Sequence, residues 1–162
     1  MAVLFAGREI LEVALEIEKT GEAFYEELVK CARDKGVKEV VTFMAQEEKK
    51  HYAKFKKILE TMGGDYVPSE SYPGEYQLYV KALADSRVFT SERDVRKQCR
   101  LLATDSDAIQ MAIGLEKDSI IFYNEMARFV RETDRMIVSD IINDERRHVA
   151  KLWELKTKLA AA

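Results

Sequence analysis

The two histidines of the sequence each follow a glutamate by three residues. Glu48 and His51 lie in the segment EEKKHYAKF, and Glu145 and His148 lie in the segment DERRHVAKL, 97 residues further along the chain. Residues three apart share one face of an α-helix, so each Glu-x-x-His pair presents a carboxylate and an imidazole side by side. Oxygen and nitrogen ligands of this kind bind iron, manganese or zinc. The repeated pair therefore predicts metal binding.

The repeat extends to two further segments, LEIEKTGEAFYEEL at 15–28 and IGLEKDSIIFYNEM at 113–126. Two glutamates and two tyrosines align between them: Glu18 with Glu116, and Tyr25 with Tyr123. Glu16 and Glu22 compete with Glu18 as candidates on the first helix, and only the repeat favours Glu18. The sequence thus predicts two copies of one unit, each with one single glutamate and one Glu-x-x-His pair.

The candidate ligands lie among apolar residues that recur at helical spacing. These apolar residues are Leu11, Ala14, Leu15, Tyr25, Leu28 and Ala32; Val41, Met44, Phe55, Ile58 and Met62; Ile109, Ala112, Ile113, Tyr123 and Met126; and Ile141, Ile142, Val149, Leu152 and Leu155. Burying four carboxylates without partners costs several kcal/mol per ion, and no lysine or arginine lies on these faces. Two divalent cations would balance the four charges. The predicted metal ligands are Glu18, Glu48, His51, Glu116, Glu145 and His148.

Four further residues lie near the predicted ligands. Tyr25 and Tyr123 follow Glu18 and Glu116 by seven residues, which is two turns along the same face. They are either core aromatics with a polar tip or catalytic residues whose hydroxyl groups hydrogen-bond a metal ligand. Glu47 and Asp144 precede the ligand glutamates, and they either orient the histidines of the opposite helix or belong to a solvated face.

Four long amphipathic helices are predicted to carry these residues, at about 6–34, 37–62, 105–130 and 133–159. Gly36 is expected to end the first, and Asp105 or Ser106 to cap the third. Two shorter helices, at 75–84 and 91–102, follow the segment DYVPSESYPG, which holds both prolines. We therefore predict an all-α fold, a ferritin-like antiparallel four-helix bundle of two duplicated hairpins with a long crossover, as one domain over residues 1–162.

Composition excludes several other classes of function. The formal net charge of −3 offers no basic face for nucleic acid, and no apolar run approaches the length of a membrane span. The N-terminal segment acquires acidic residues too early for a secretory signal, so a cytoplasmic protein is expected.

Cys31 and Cys99 are 68 residues apart and form no Cys-x-x-Cys motif, which excludes a rubredoxin-type iron site. We expect two reduced and mostly buried thiols.

In the segments EKTGEAFY, EEKKH, EKDSIIFY and DERRH, the sequence resembles the rubrerythrin branch of the ferritin-like superfamily of di-iron carboxylate proteins. The resemblance covers all four long helices. It implies two iron ions, with manganese, zinc or a mixed pair as alternatives, bound by the six residues named above. It also implies an oxidoreductase that reduces hydrogen peroxide or oxygen with electrons from a rubredoxin-type centre.

The sequence departs from this family at two places. It ends in LWELKTKLAAA where a rubredoxin domain usually follows, so we expect a separate electron donor. Rubrerythrins proper also carry an additional carboxylate one turn after the third-helix ligand, where this chain has Ser119. The alternatives are therefore a ferritin-like Fe(II)-oxidising protein and a bundle with a structural di-metal site. A homodimer is expected, with the crossover available for exchange between protomers.

Overall fold

The computed structural model describes residues 7–64, 74–87 and 91–161. These residues form six helices: α1 (Gly7–Cys31), α2 (Lys35–Thr61), α3 (Glu75–Asp85), α4 (Glu92–Leu101), α5 (Asp105–Met126) and α6 (Glu132–Ala161). The described ranges contain no strand, which confirms the predicted all-α fold. The predicted irregular segment with both prolines lies mainly outside them, as does the predicted start of the first helix at Ala6.

The four long helices form two hairpins. α1 packs along α2 and α5 packs along α6, and these are the two most extensive helix contacts among the described residues. Contacts of α1 with α5 and of α2 with α6 join the hairpins, while α3 rests on α5 and α4 rests on α1. The duplicated-hairpin bundle with a helical crossover is therefore confirmed.

The turn between α1 and α2 differs from the prediction. Asp34 is the N-cap of α2, and its side chain accepts a hydrogen bond from the backbone N–H of Val37 at 3.0 Å. Gly36 consequently lies in the first turn of α2 and does not end α1. An aspartate cap satisfies a helix N–H that has no partner within the helix, which is why the helix begins before the glycine.

The start and end of α5 also differ from the prediction. Thr104 is its N-cap and accepts from the backbone N–H of Asp107 at 3.1 Å, in place of the predicted Asp105 or Ser106. The helix ends at Met126, earlier than the predicted 130. Phe129 and Val130 follow it as buried residues of the turn, so their apolar character reflects core packing and not a longer helix.

The bundle core consists of two apolar layers with a polar layer between them. One layer contains buried apolar residues within 23–28 of α1, 37–45 of α2 and 108–113 of α5, together with Ala32 and Leu152. The other contains 10–14 of α1, 55–58 of α2, 122–126 of α5 and 138–142 of α6. Each helix therefore crosses the polar layer at the height of its candidate ligand. Burial of the two layers fixes the height at which these ligands meet.

The cysteines depart from the expectation that both are mostly buried. Cys99 is buried, but Cys31 is exposed at the end of α1. The exposure follows from its position in the last turn of a helix, beside the turn to α2. Separately, in the part of the chain described here, no helix is long and apolar enough to cross a membrane.

Candidate metal centre

All six predicted ligands lie in the polar layer and are almost completely buried, with at most 4% of each residue exposed. Glu18 comes from α1, Glu116 from α5, and α2 and α6 each contribute one Glu-x-x-His pair. The rival glutamates lie elsewhere, because Glu16 pairs with Arg87 at 3.4 Å and Glu22 pairs with Lys49 at 3.2 Å. The fold thus brings the six predicted side chains together and leaves the competing ones at the surface.

The ligand atoms form two overlapping groups. In each group the oxygen and nitrogen atoms lie within 4.8 Å of one another. The first group is Glu18, Glu48, His51 and Glu145, and the second is Glu48, Glu116, Glu145 and His148. Glu48 and Glu145 belong to both groups. Each group therefore has the donors of one metal position, and the two shared carboxylates lie where they can bridge two ions.

Glu145 lies between the two imidazole rings. Its Oε1 atom is 3.1 Å from Nδ1 of His51, and its Oε2 atom is 2.9 Å from Nδ1 of His148. The rings are stacked with their centroids 5.8 Å apart. Both histidines consequently turn the same ring nitrogen toward the carboxylates, as ligands of a shared centre would.

Four atoms of this buried cluster lack a hydrogen-bond partner of acceptable geometry among the described residues: Oε2 of Glu18, Nδ1 of His51, Oε2 of Glu145 and Nδ1 of His148. Buried polar atoms are usually satisfied, and leaving one without a partner costs about 1–3 kcal/mol. A cation between the oxygens and nitrogens would satisfy all four. The mixed oxygen and nitrogen donor set fits two ions of the iron, manganese or zinc type.

The carboxylates repel one another when no cation is bound. Burial raises the pKa of Glu18 and of Glu48 well above the ordinary value, and the charge of Glu145 raises both further. Burial, followed by the charge of Glu145, raises the pKa of Glu116 to about 8. The metal-free cluster therefore holds protons at neutral pH, and metal ions would displace them.

Nearby carboxylates raise the pKa of both histidines in the metal-free cluster, against the effect of burial. Burial acts to lower the pKa of His148, but the nearby carboxylates of Glu116 and Glu145 raise it to about 10. Burial likewise opposes the charge on His51, yet Glu145 raises its pKa. The two rings in turn hold the pKa of Glu145 below its ordinary value, although burial alone would raise it. This site attracts positive charge strongly.

The two tyrosines connect the hairpins crosswise. The Tyr123 hydroxyl on α5 donates to Oε1 of Glu18 on α1 at 2.6 Å, and the Tyr25 hydroxyl on α1 donates to Oε1 of Glu116 on α5. Both tyrosines are at most 1% exposed. Each hydroxyl fixes one oxygen of a candidate ligand and leaves the other directed toward the cluster. Such outer hydrogen bonds orient ligands in metal sites.

Asp144 and Glu47, which directly precede the ligand glutamates, make different contacts. Oδ2 of Asp144 lies 3.3 Å from Nε2 of His51, so a carboxylate holds the ring nitrogen opposite Nδ1. Glu47 pairs with Lys50 and lies near His148 beside a surface cavity. A carboxylate behind a histidine fixes its tautomer, and here Asp144 directs Nδ1 of His51 as the ligand atom.

A cavity of about 30 Å³ adjoins the cluster on the other side. One water molecule needs roughly 10–15 Å³ of such space, so the cavity has room for a molecule of two heavy atoms. Its lining includes Thr20, Gly21, Tyr25, Glu48, Arg87, Glu116, Asp118 and Ser119. Gly21 and Ser119 occupy equivalent positions of the repeat, one turn after the glutamates of α1 and α5. Small residues at both positions keep this space open.

Gly21 and Arg87 were not identified from the sequence pattern. A Cβ atom at position 21 would lie 3.0 Å from Oε2 of Glu48, so only glycine leaves that carboxylate undisturbed. The alignment of Gly21 with Ser119 is a signal that could have identified the first. Arg87 follows α3 and has a buried Nη1 atom at the cavity without a hydrogen-bond partner. No periodic pattern predicts its position.

Comparison with known proteins agrees with this arrangement. The sequence model of the rubrerythrin family matches residues 9–156. A structure described as a ferritin-like diiron-carboxylate protein, from Thermotoga maritima, is 26% identical with a TM-score of 0.72, covering 95% of this chain and 96% of that one. A hypothetical protein from Pyrococcus furiosus is 22% identical with a TM-score of 0.66, covering 97% of this chain and 92% of that one. At this identity the likeness is evidence for the fold alone. No curated protein sequence matches the chain.

Proposed function

This chain belongs to the rubrerythrin family, and on that premise we propose that it is a non-haem di-iron oxidoreductase that reduces hydrogen peroxide or dioxygen. Its electrons come from a separate donor such as a rubredoxin-type protein, since its own two cysteines form no Cys-x-x-Cys motif. The observation that carries the proposal is the pair of overlapping donor groups that share Glu48 and Glu145.

In this proposal the six buried side chains would hold two ions. Glu18 and His51 would hold one ion, Glu116 and His148 would hold the other, and Glu48 and Glu145 belong to both donor groups. When bound there, two ferrous ions would supply the two electrons that, together with two protons, convert hydrogen peroxide into two water molecules. The carboxylates balance the charge of the ions in a site that water cannot screen.

The remaining residues of the centre position the ligands and admit the oxidant. Tyr123 holds Glu18 at 2.6 Å, so that this carboxylate keeps one oxygen free for an ion. The cavity beside Gly21 and Ser119 gives a small oxidant a place next to Glu48 and Glu116. The Tyr25 hydroxyl lines the same cavity, which places a proton donor within it.

One observation favours a second candidate function. The hydroxyl of Ser119 donates to the backbone oxygen of Leu115 at 3.0 Å, so it turns to its own helix and not to the centre. The centre therefore lacks at this position the additional carboxylate that the family resemblance associates with peroxidases. The second candidate is a ferritin-like protein that binds and oxidises Fe(II) with dioxygen.

A rapid-mixing experiment separates the two candidates. The protein is loaded with Fe(II) without air and mixed with either hydrogen peroxide or dissolved oxygen, and the appearance of Fe(III) is followed by absorbance. The proposal predicts that peroxide oxidises the bound iron faster than oxygen does. Faster reaction with oxygen would favour iron oxidation as the function. Bound metal that reacts with neither would indicate a structural site.

A further inference from the structure

The two cysteines of the sequence line one cavity of the fold, and neither is a candidate metal ligand. Cys31 is the last residue of α1, and Cys99 lies in the last turn of α4. Cys99 is only 2% exposed, whereas Cys31 is exposed to solvent. One site thus combines an outer thiol that solutes can reach with an inner thiol that lines the same cavity.

Ion pairs hold α4 against α1 at this point. Nη2 of Arg96 lies 3.0 Å from Oε2 of Glu26, and Nε of Arg100 lies 2.6 Å from Oε1 of Glu27. The Arg100 guanidinium also interacts electrostatically with both thiols. The positions of the two cysteines are therefore fixed by ion pairs between their helices, and the thiols lie near a positive charge.

Both thiols line a cavity at the junction of α1, α4 and the start of α5, with a volume of about 40 Å³. Arg33 and Asp105 form part of its wall, and the Asp105 carboxylate binds the backbone N–H groups of Arg33 and Asp34 at 2.7–3.1 Å. Since one water molecule needs roughly 10–15 Å³, a molecule with two oxygen atoms fits beside the sulfur atoms.

We propose that Cys31 and Cys99 form a dithiol site that reduces hydrogen peroxide and closes to a disulfide between α1 and α4. The Cys31 thiolate attacks one peroxide oxygen, the O–O bond breaks, and the departing hydroxide takes a proton to become water. The sulfur of Cys99 then attacks the resulting sulfenic acid, forming the S–S bond and releasing a second water molecule with the Cys99 proton. Two thiols and one peroxide yield one disulfide and two water molecules.

The unequal surroundings of the two thiols assign their roles. Burial, with further contributions from Cys31 and Glu27, raises the pKa of Cys99 to about 12. Cys99 consequently keeps its proton and does not react first, whereas Cys31 is accessible to the oxidant. This dithiol site shares its oxidant with the proposed di-iron reaction, but it needs no metal, so the two proposals succeed or fail separately.

Mass spectrometry of the full chain tests the proposal. The reduced protein is exposed to a small excess of hydrogen peroxide, once with its metal and once in the presence of a chelator, and its remaining thiols are then alkylated in denaturant so that buried thiols also react. We expect both thiols to disappear and the intact mass to fall by about 2 Da, because a disulfide contains two hydrogens fewer than two thiols. Peptide mapping should find Cys31 joined to Cys99 within one chain, and dithiothreitol should restore both thiols.

Two matched variants separate the roles of the sulfur atoms. In Cys31→Ser, the buried Cys99 should be alkylated almost fully after the same peroxide treatment. In Cys99→Ser, Cys31 should still be oxidised but should stop at the sulfenic or higher acids, or link two chains. Retention of both thiols in the unmodified protein, or oxidation of Cys31→Ser as fast as of the unmodified protein, would overturn the proposal. The peptide map of the unmodified protein shows whether the disulfide forms even if a variant does not fold.

Discussion

Replacement of Gly21 by alanine should weaken metal binding without weakening the metal-free fold. The new Cβ atom would lie 3.0 Å from Oε2 and 3.2 Å from Cδ of Glu48, so the carboxylate has to withdraw by about 0.4 Å to reach an ordinary contact of 3.4 Å. Metal–oxygen distances in a good site vary by only about 0.2 Å. Because Glu48 belongs to both donor groups, the displacement affects both ions. We expect a loss of metal affinity of about 10- to 100-fold, which is about 1.4–2.8 kcal/mol.

The matched control for this variant is Gly114→Ala. Gly114 also lies within a long helix, α5, but a Cβ atom there would meet nothing within 4 Å. Both substitutions exchange glycine for alanine in a helix, which stabilises by about 0.5–1 kcal/mol where no contact opposes it. Metal titration should separate the two variants, whereas urea unfolding of the metal-free proteins should not show a loss for either. Equal metal affinity in Gly21→Ala, Gly114→Ala and the unmodified protein would mean that a Cβ atom at position 21 does not disturb Glu48 as a ligand.

Two further predictions concern the electrostatics and the hydrogen bonds of the centre. In the presence of a chelator, the urea midpoint should fall as the pH rises from about 5 to about 8. Folding raises the pKa of Glu116 from 4.5 to about 8, so over this range the folded state holds a proton that the unfolded chain releases. This difference lowers the free energy of unfolding by up to about 1.4 kcal/mol per pH unit. His148 acts in the same direction: its pKa is raised from 6.5 to about 10, and its contribution to stability is lost as the pH rises through the folded value. Glu116→Gln should make the urea midpoint depend less on pH. A midpoint that rises between pH about 5 and about 8 in the unmodified protein would contradict this expectation. Tyr123→Phe removes the hydroxyl that holds Glu18 at 2.6 Å and should lower metal affinity by about 10-fold, whereas the same change at the exposed Tyr79 should leave affinity unchanged in a metal titration.

The clustering of the six candidate ligands in the core could be predicted from the sequence because these residues violate the pattern around them. Glu18 and Glu116 are charged residues on apolar faces, and the repeat identifies the same position twice. Buried charges need a compensating charge, so the pattern itself predicts cations. The helices follow from the same periodicity, and their bounds were predicted to within a few residues because apolar spacing continues almost to each end.

Other features depend on contacts that periodicity does not contain. Asp34 and Thr104 cap their helices because their side chains meet a free backbone N–H, and neighbouring residues of similar type compete for that role. The cavity that Cys31 and Cys99 share depends on how α4 docks on α1, to which the ion pair of Arg100 with Glu27 contributes. Helix docking of this kind leaves no spacing signal in a single sequence.

The proposal that two metal ions share Glu48 and Glu145 is tested by metal analysis of protein purified without air, for the unmodified chain and for Glu48→Ala and Glu145→Ala. We predict about two iron ions per chain in the unmodified protein, as in di-iron carboxylate bundles, and loss of both ions in either variant, because each glutamate belongs to both donor groups. Two ions retained in both variants, or a folded unmodified chain that binds no metal, would contradict the account.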